Sequence, residues 1–315
     1  MRDQKLPVPH AAEKLAATID EALGLLKEAS YAKELVSVDD QPPASLLDQC
    51  LALCAQQQAV QREAVRTVHH FACTGGTLIS KCIAAMPNTH VLSEVDPLST
   101  LQKQQSLKPR FAPTDMVTLM LQSTRGAAPE LVVELFLNNL EIIYSDSIRV
   151  GQRLILRDHA HSHFCVGNEI PERLSFRAVI ASRFPTLSVV TVRHPLDSFL
   201  SLKSLKWIHF SPPTFDEYCK RYISFLKTYK DIPIIQYENF VNTPHDIMNN
   251  ICTILELPFS EQFIDLFSVF KLTGDSGRSG NAIEPRPRRL IDSKLTEEIK
   301  DSKHYAVLRT MLNYD

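Results

Sequence analysis

The chain has 315 residues, of which 44% are hydrophobic and 22% are charged, and its formal net charge is -2. This composition is ordinary for a globular protein with a sizeable core, and the charge gives no reason to expect nucleic acid or an acidic membrane as a partner. No apolar run reaches transmembrane length, and the first residues lack the apolar core of a signal peptide. The seven cysteines form no CxxC pair and no metal-ligand spacing, which favours a reducing compartment such as the cytoplasm.

The first part of the chain is predicted to be helical. Leucines and alanines recur at helical spacing between about residues 9 and 62, interrupted by Pro42 and Pro43. We therefore expect a helical N-terminal extension over residues 1–64, packed on a main domain over residues 65–315.

Beyond this extension, short apolar strands alternate with helices. Strands are predicted at residues 65–72, 89–93, 153–156, 187–192 and 232–237, and the main helices at 77–86, 114–121, 129–145, 171–182, 196–207, 214–230 and 243–257. The strands show no alternation of polar and apolar residues, which indicates burial on both faces and hence a mostly parallel sheet. The predicted fold class is α/β, a P-loop-like three-layer sandwich around this sheet, with the helical N-terminal extension added.

A glycine turn joins the first predicted strand to the first helix of the main domain. The turn and the first helical residues are Cys73, Thr74, Gly75, Gly76, Thr77 and Leu78. Glycines let backbone N–H groups converge on an anion, and a helix start adds unpaired N–H groups with partial positive charge. Because the GxxxxGK[ST] pattern is absent, the turn suits a phosphate ligand other than a nucleoside triphosphate. A plain strand-to-helix turn is the alternative.

Two charged residues follow other strand ends. Glu94 comes after the second strand and Arg157 after the third. The carboxyl ends of parallel strands meet at one edge of a sheet, where ligands bind in such folds, so both side chains are expected near the glycine turn. The alternatives are a solvated loop carboxylate for Glu94 and an ion pair with Asp158 for Arg157.

Arg193 follows the fourth strand, and Ser201 lies in the next helix. A guanidinium fork at a strand end, together with a hydroxyl from the following helix, can hold a second phosphate. The alternative is an ion pair between Arg193 and Asp197 that fixes the start of the helix.

Three histidines alternate after the third strand, namely His159, His161 and His163. On an extended chain they would point to one side and could bind a metal ion, although no cysteine or acidic cluster completes such a site. His159 or His161 could instead orient an acceptor or act as a base.

Two separated motifs resemble those of the sulfotransferases that use 3′-phosphoadenosine 5′-phosphosulfate (PAPS). Residues 72–78 (ACTGGTL) resemble in part the loop that holds the 5′-phosphosulfate in this family. Residues 193–201 (RHPLDSFLS) match in full the R-x-P-x-D-x-x-x-S block that holds the 3′-phosphate. A third segment, Tyr237 to Phe259, is also similar, and the resemblance spans about residues 65–289. It is closest to the protein-tyrosine and bacterial branches of the family.

The resemblance implies an enzyme that transfers a sulfuryl group from PAPS to an acceptor hydroxyl without a metal. It implies Glu94 as general base and Arg157 as the group that stabilises the transferred sulfuryl. His159, from the histidine segment, is the third catalytic candidate. The implied PAPS-binding residues are Cys73, Thr74, Gly75, Gly76, Thr77, Leu78, Arg193, Ser201, Tyr237, Arg278 and Ser279. The expected acceptor is a small molecule, glycan or lipid with a hydroxyl, and the sequence identifies neither the acceptor nor the oligomeric state.

The chain departs from the family at Cys73, where the family has Lys or Arg. Losing a charged donor of this kind costs about 3 kcal/mol of transition-state stabilisation. Lys81, Arg157 and His69 are the candidates to compensate. Two alternatives therefore stay open: a P-loop nucleotide kinase, which the missing GK[ST] disfavours, and a catalytically impaired nucleotide-binding protein of sulfotransferase descent.

Overall fold

The computed structural model describes residues 17–24, 62–99, 101, 113–274 and 282–314. The chain divides into two compact units, residues 1–60 and 61–315. In the first unit, residues 17–24 form a helix. The rest of the expected helical extension lies outside the described residues, and the domain boundary after residue 64 stays a prediction.

A parallel sheet forms the centre of the second unit. The described strands are β1 (Val65–His70), β2 (Thr89–Val95), β3 (Arg153–Asp158), β4 (Val166–Gly167), β5 (Thr186–Val192), β6 (His209–Phe210) and β7 (Ile234–Gln236). Five of them form one sheet in the order β2-β3-β1-β5-β7, and every neighbouring pair is parallel. The short strands β4 and β6 pair separately. The predicted mostly parallel sheet is therefore confirmed.

Helices cover both faces of this sheet. The described helices of the second unit are α1 (Gly76–Ala84), α2 (Met116–Leu121), α3 (Pro129–Arg149), α4 (Ala160–Phe164), α5 (Phe176–Ala181), α6 (Pro195–Leu205), α7 (Phe215–Thr228), α8 (Tyr237–Asn242), α9 (Pro244–Ile254), α10 (Phe263–Leu266), α11 (Ser293–Asp301) and α12 (Lys303–Leu312), with a 3₁₀ helix at Phe267–Val269. Within the described parts of the chain, no helix has the length and apolar character needed to cross a membrane.

The strand side chains show how the layers are built. Ile155 and Val189 pack in one hydrophobic cluster with α1 and α9. Leu154, one residue before Ile155, packs with α3 and α5, and Val190, one residue after Val189, packs with α6 and α7. Because successive strand residues point to opposite faces, these clusters lie on opposite sides of the sheet. The predicted three-layer α/β sandwich is confirmed.

Two local predictions are wrong. The helix predicted from Pro171 begins at Phe176, because the Ser175 side chain accepts a hydrogen bond from the Ala178 amide (3.2 Å) and thereby caps the first turn. The histidine segment is not extended, since β3 ends at Asp158 and α4 follows within two residues. The three histidines therefore do not point to one side as the alternating pattern suggested.

Candidate active site

A cavity of about 860 Å³ lies at the carboxyl ends of the sheet strands. Residues at or just past the ends of all five strands line it, namely Cys73, Glu94, Arg157, Arg193 and Tyr237. The other described candidates from the sequence also line it: Thr74, Gly75, Gly76, Thr77, Leu78, His159 and Ser201. Arg278 and Ser279 lie outside the described residues. The structure thus brings together in one cavity every described residue among the catalytic and PAPS-binding candidates.

The turn after β1 has the backbone geometry of an anion-binding nest. Cys73 and Gly75 both have left-handed backbone angles, with φ of 63° and 86°. The Thr74 hydroxyl donates a hydrogen bond to the Phe71 carbonyl (2.8 Å), which holds the turn closed. Alternation of left- and right-handed residues turns successive amides toward one side, and α1 begins directly after Gly75 with no side chain capping its first turn. This turn offers several N–H donors to one anion.

Close packing against two aromatic rings gives a second reason for the glycines in this turn. A Cβ at Gly75 would lie 2.2 Å from Cδ2 of Tyr237, and a Cβ at Gly76 would lie 2.4 Å from Cγ of His70. Neither position can hold a larger residue without moving a ring. The sequence showed the glycines and their use toward an anion, but not these two contacts.

Tyr237 also contacts the second candidate phosphate residue. The guanidinium carbon of Arg193 lies 4.8 Å from the centroid of the Tyr237 ring, within the range of a cation–π contact. The alternative ion pair with Asp197 is not formed, because Asp197 accepts hydrogen bonds from Arg288 at 2.9 and 3.1 Å. The buried Nε of Arg193 has no hydrogen-bond partner among the described residues. An anion in the cavity would supply the acceptor that this donor lacks.

A small niche of about 70 Å³ adjoins Arg193 and Ser201. Arg286 and Arg289, from the segment before α11, also line it, as does Asp197, whose carboxylate is paired with Arg288. In the sequence these arginines follow a glycine-rich run among prolines, and this basic stretch resembles the family's C-terminal loop that closes over the 3′-phosphate. The contact with Arg193 itself cannot be seen in the sequence, because the two segments are far apart along the chain. Together the niche residues can surround an anion with three guanidinium groups and a hydroxyl.

The base candidate Glu94 lies between a cation and a histidine. Its Oε1 is 2.6 Å from Nη1 of Arg157, and its Oε2 is 3.0 Å from Nε2 of His159. Glu94 has a left-handed φ of 61° and lies where the β2–β3 register shifts between Leu92 and Val95. This bulge places the carboxylate in the cavity, so Glu94 is not a solvated loop carboxylate.

Arg157 links Glu94 to the glycine turn. Its side chain is almost fully buried, and its Nη2 donates to Oγ1 of Thr77 and to Nε2 of His70, both at 2.9 Å. Burial and the neighbouring guanidinium hold the pKa of His70 well below its usual value of 6.5, so this ring is uncharged and can accept. The alternative ion pair with Asp158 is not formed, because Asp158 turns into the core.

Buried polar groups hold Asp158 on the core side. Its Oδ2 is 2.8 Å from both Nδ1 of His69 and the hydroxyl of Tyr229. His69 is fully buried and does not line the cavity, so it does not compensate for the missing charge at Cys73. Lys81 and Arg157 do line the cavity.

The histidine segment does not converge on a metal site. His163 Nε2 lies 3.2 Å from the carbonyl oxygen of Pro171, away from the other two rings. His161 instead contacts His209, with 3.0 Å between Nε2 and Nδ1. Within the described ranges, no three His, Cys, Asp or Glu residues are grouped so that they could hold a metal ion.

Comparison with known proteins gives a structural similarity only. No protein-family model matches the chain, and a search of curated proteins found no match. The chain is similar to sulfotransferases of known structure.

The similarity extends over most of this chain at low identity. The sulfotransferase domain from the curacin biosynthetic pathway superposes with a TM-score of 0.48 and 13% identity, over 81% of this chain and 99% of that domain. The sulfotransferase domain of the Synechococcus PCC 7002 olefin synthase superposes with a TM-score of 0.44 and 16% identity, over 81% of this chain and 96% of that domain. Mouse sulfotransferase SULT7A1, solved with PAP, superposes with a TM-score of 0.38 and 12% identity, over 79% of this chain and 89% of that chain. Because these similarities are weak, the function proposed below rests on the residues of the cavity.

Proposed function

We propose that this protein is a sulfotransferase that moves a sulfuryl group from PAPS to a hydroxyl of an acceptor. One observation carries the proposal. The Tyr237 ring contacts both Gly75 of the glycine turn and the guanidinium of Arg193. Two anion-binding elements are thereby held side by side in one cavity, beside the Glu94–Arg157 pair. A nucleotide with phosphates on two different carbons of its ribose suits this arrangement.

The two ends of the donor are assigned to the two elements. The turn from Cys73 to Leu78 and the start of α1 would hold the 5′-phosphosulfate by backbone amides and helix polarity. Arg193 and Ser201 would hold the 3′-phosphate, with Arg286 closing the niche. Tyr237, which contacts both elements, would hold them in a fixed position relative to each other.

The reaction is an in-line displacement at sulfur. The acceptor oxygen attacks sulfur, the bond from sulfur to the 5′-phosphate oxygen breaks, and 3′-phosphoadenosine 5′-phosphate (PAP) leaves. Glu94 takes the hydroxyl proton as general base. Arg157 contacts both Glu94 and Thr77, which places its charge between the base and the phosphosulfate loop. Charge that develops on the sulfuryl and leaving oxygens would be stabilised there.

A second candidate function follows from Cys73. This residue lines the cavity at a position where a cation is expected, so the chain could bind the nucleotide without efficient transfer. Lys81 and Arg157 line the same cavity and would have to supply the missing charge. A transfer assay with radiolabelled PAPS and phenol, sugar and lipid acceptors separates the two candidates. Turnover supports the enzyme, and tight PAP binding without turnover supports the binding protein.

Calorimetry with PAP and ATP tests the nucleotide assignment. We expect PAP to bind much more tightly than ATP, because only PAP carries the 3′-phosphate. Arg193→Ala should weaken PAP binding about 10- to 100-fold, which is the effect of losing a charge-assisted contact. Arg183→Ala is the matched control, since this arginine pairs with Glu134 on the surface. Equal PAP affinity in the wild type and Arg193→Ala would contradict the proposal.

A further inference from the structure

A row of three histidines extends from Glu94 along the cavity. His159 lies 3.0 Å from the Oε2 of Glu94, and its ring stacks on that of His161 with 6.1 Å between centroids and 11° between planes. His161 in turn contacts His209 at 3.0 Å, and all three rings line the cavity. The other oxygen of Glu94 contacts Arg157, which leads to the glycine turn. Glu94 therefore stands between the donor-binding elements and this histidine row.

At the far end of the row the environment disfavours positive charge on the rings, and two apolar residues nearby in the chain line the same cavity. Burial and the neighbouring His159 lower the pKa of His161 to about 3, and burial also lowers the pKa of His209 below 6.5. Trp207 and Leu205, shortly before His209 in the chain, also line the cavity. Besides Glu94, six of the described charged residues line the cavity. They are Lys81 of α1, Arg157 of β3, Arg193 after β5, Lys271 after the 3₁₀ helix, and Glu284 and Arg286 before α11.

The His161–His209 pair offers one donor and one acceptor whichever tautomer it adopts. The bond between Nε2 of His161 and Nδ1 of His209 uses one N–H and one lone pair. The two remaining ring nitrogens, Nδ1 of His161 and Nε2 of His209, must then comprise one N–H and one lone pair. No described residue is hydrogen-bonded to either of them. These two nitrogens lie at opposite ends of the pair, so a ligand group can contact one of them at a time. A hydroxyl or a carboxamide can pair with that nitrogen in either tautomer, whereas a carboxylate only accepts and an ammonium only donates.

We propose that the His161–His209 pair binds a second, uncharged polar group of the acceptor, a hydroxyl or carboxamide, while Trp207 contacts its apolar body. The acceptor is then a compound with two separated polar groups, one sulfated at Glu94 and one recognised at the far end of the row. This inference rests on the proposed sulfotransferase function.

Three para-substituted phenols of similar size test it: 4-(2-hydroxyethyl)phenol, 4-ethylphenol and 4-hydroxyphenylacetate. Their binding to the PAP-loaded protein is measured by calorimetry, which requires no turnover. The hydroxyethyl compound should bind about five- to tenfold more tightly than 4-ethylphenol, the effect of one hydrogen bond, and the carboxylate should bind most weakly. In His209→Phe the advantage of the hydroxyethyl group should disappear. His245→Phe, at an exposed histidine that is not part of the cavity lining, should retain it.

The outcomes are distinguishable. Equal or preferred binding of the carboxylate, no binding of the two uncharged phenols, or an unchanged preference in His209→Phe overturns the acceptor inference. Failure of PAP to bind at all instead overturns the proposed function. If His209→Phe does not fold, His161→Asn provides the same comparison, and the wild-type ranking of the three phenols stands as a test without any variant.

Discussion

Two non-glycine residues of the site have strained backbones. Cys73 and Glu94 have φ values of 63° and 61°, in the left-handed region that costs roughly 1–2 kcal/mol for a residue with a side chain. Glu94 is held in this conformation by Arg157 and His159 on its two oxygens. Gly274 lies against it so closely that a Cβ there would be 2.2 Å from Oε1. Strain that several contacts maintain is typical of a functional position.

Replacing Glu94 tests its role as the base. Glu94→Gln keeps the shape of the side chain but removes the carboxylate that we propose as the acceptor of the hydroxyl proton. We expect sulfuryl transfer to fall by roughly 100-fold or more, while the PAP dissociation constant changes less than about threefold. Steady-state kinetics and calorimetry measure the two effects. Glu134→Gln, at an exposed glutamate paired with Arg183, is the control. A fully active Glu94→Gln variant would transfer the base role to His159.

The glycine turn combines two demands on a single element. It must expose amide groups toward the cavity, and it must lie directly on the rings of Tyr237 and His70. The first demand can be seen in the sequence, because the turn follows an apolar strand and precedes a helix. The contact with the rings cannot be seen in the sequence, because Tyr237 belongs to a helix that lies far from the turn along the chain.

Gly75→Ala separates the steric effect from the backbone effect. Gly75 and Gly151 both have positive φ, but a Cβ at Gly151 would meet nothing within 4 Å, whereas one at Gly75 would lie 2.2 Å from the Tyr237 ring. Gly151→Ala should lower the free energy of unfolding by about 1 kcal/mol. Gly75→Ala should lower it by roughly 1–3 kcal/mol more through overpacking, and it should also weaken PAP binding. Equal losses in denaturant unfolding of the two variants would show that the Tyr237 contact is not tight.

The strands were predicted well because each is a short apolar run covered on both faces. Each predicted end lies within two residues of the observed one. The segments that failed depend on local capping and chain reversal. Ser175 rather than Pro171 starts α5, and the histidine segment turns into α4 directly after β3. Alternation of histidines predicts an extended chain only if the strand continues, and nothing in their spacing shows where it ends.

At the scale of the whole molecule, uncharged histidines make stability depend on pH. Burial lowers the pKa of His194 to about 4, and burial with Arg157 lowers that of His70 well below 6.5. The Nδ1 of His194 accepts a hydrogen bond from the Leu196 amide (3.3 Å), which the protonated ring could not do. Below pH 6.5 the unfolded chain therefore binds more protons than the folded one. These two histidines therefore cost no stability above pH 6.5, and the free energy of unfolding falls as the pH decreases from 6.5 toward their folded-state pKa values.

Replacing His194 tests this dependence. Each such histidine lowers the free energy of unfolding by up to about 1.4 kcal/mol for every pH unit below 6.5, until the pH reaches its folded-state pKa. His194→Asn keeps a side chain that can cap α6 but removes one titrating group. Between pH 7 and pH 5 we expect it to lose about 2 kcal/mol less stability than the wild type does, measured by urea unfolding at both values. A parallel decline of the two proteins would mean that His194 is charged in the folded state.

The sequence by itself determined the layers of the fold, the glycine turn and the set of strand ends at which the candidate site residues lie. These features depend on local periodicity and on residue types close together in the chain. Only the tertiary structure decided which groups contact each other. Tyr237 contacts both Gly75 and Arg193, and His209 extends the histidine row. Arg288 pairs with Asp197, which the sequence offered as an alternative partner of Arg193. Such contacts join residues far apart in the chain, and each depends on how the helices pack on the sheet, which no local pattern encodes.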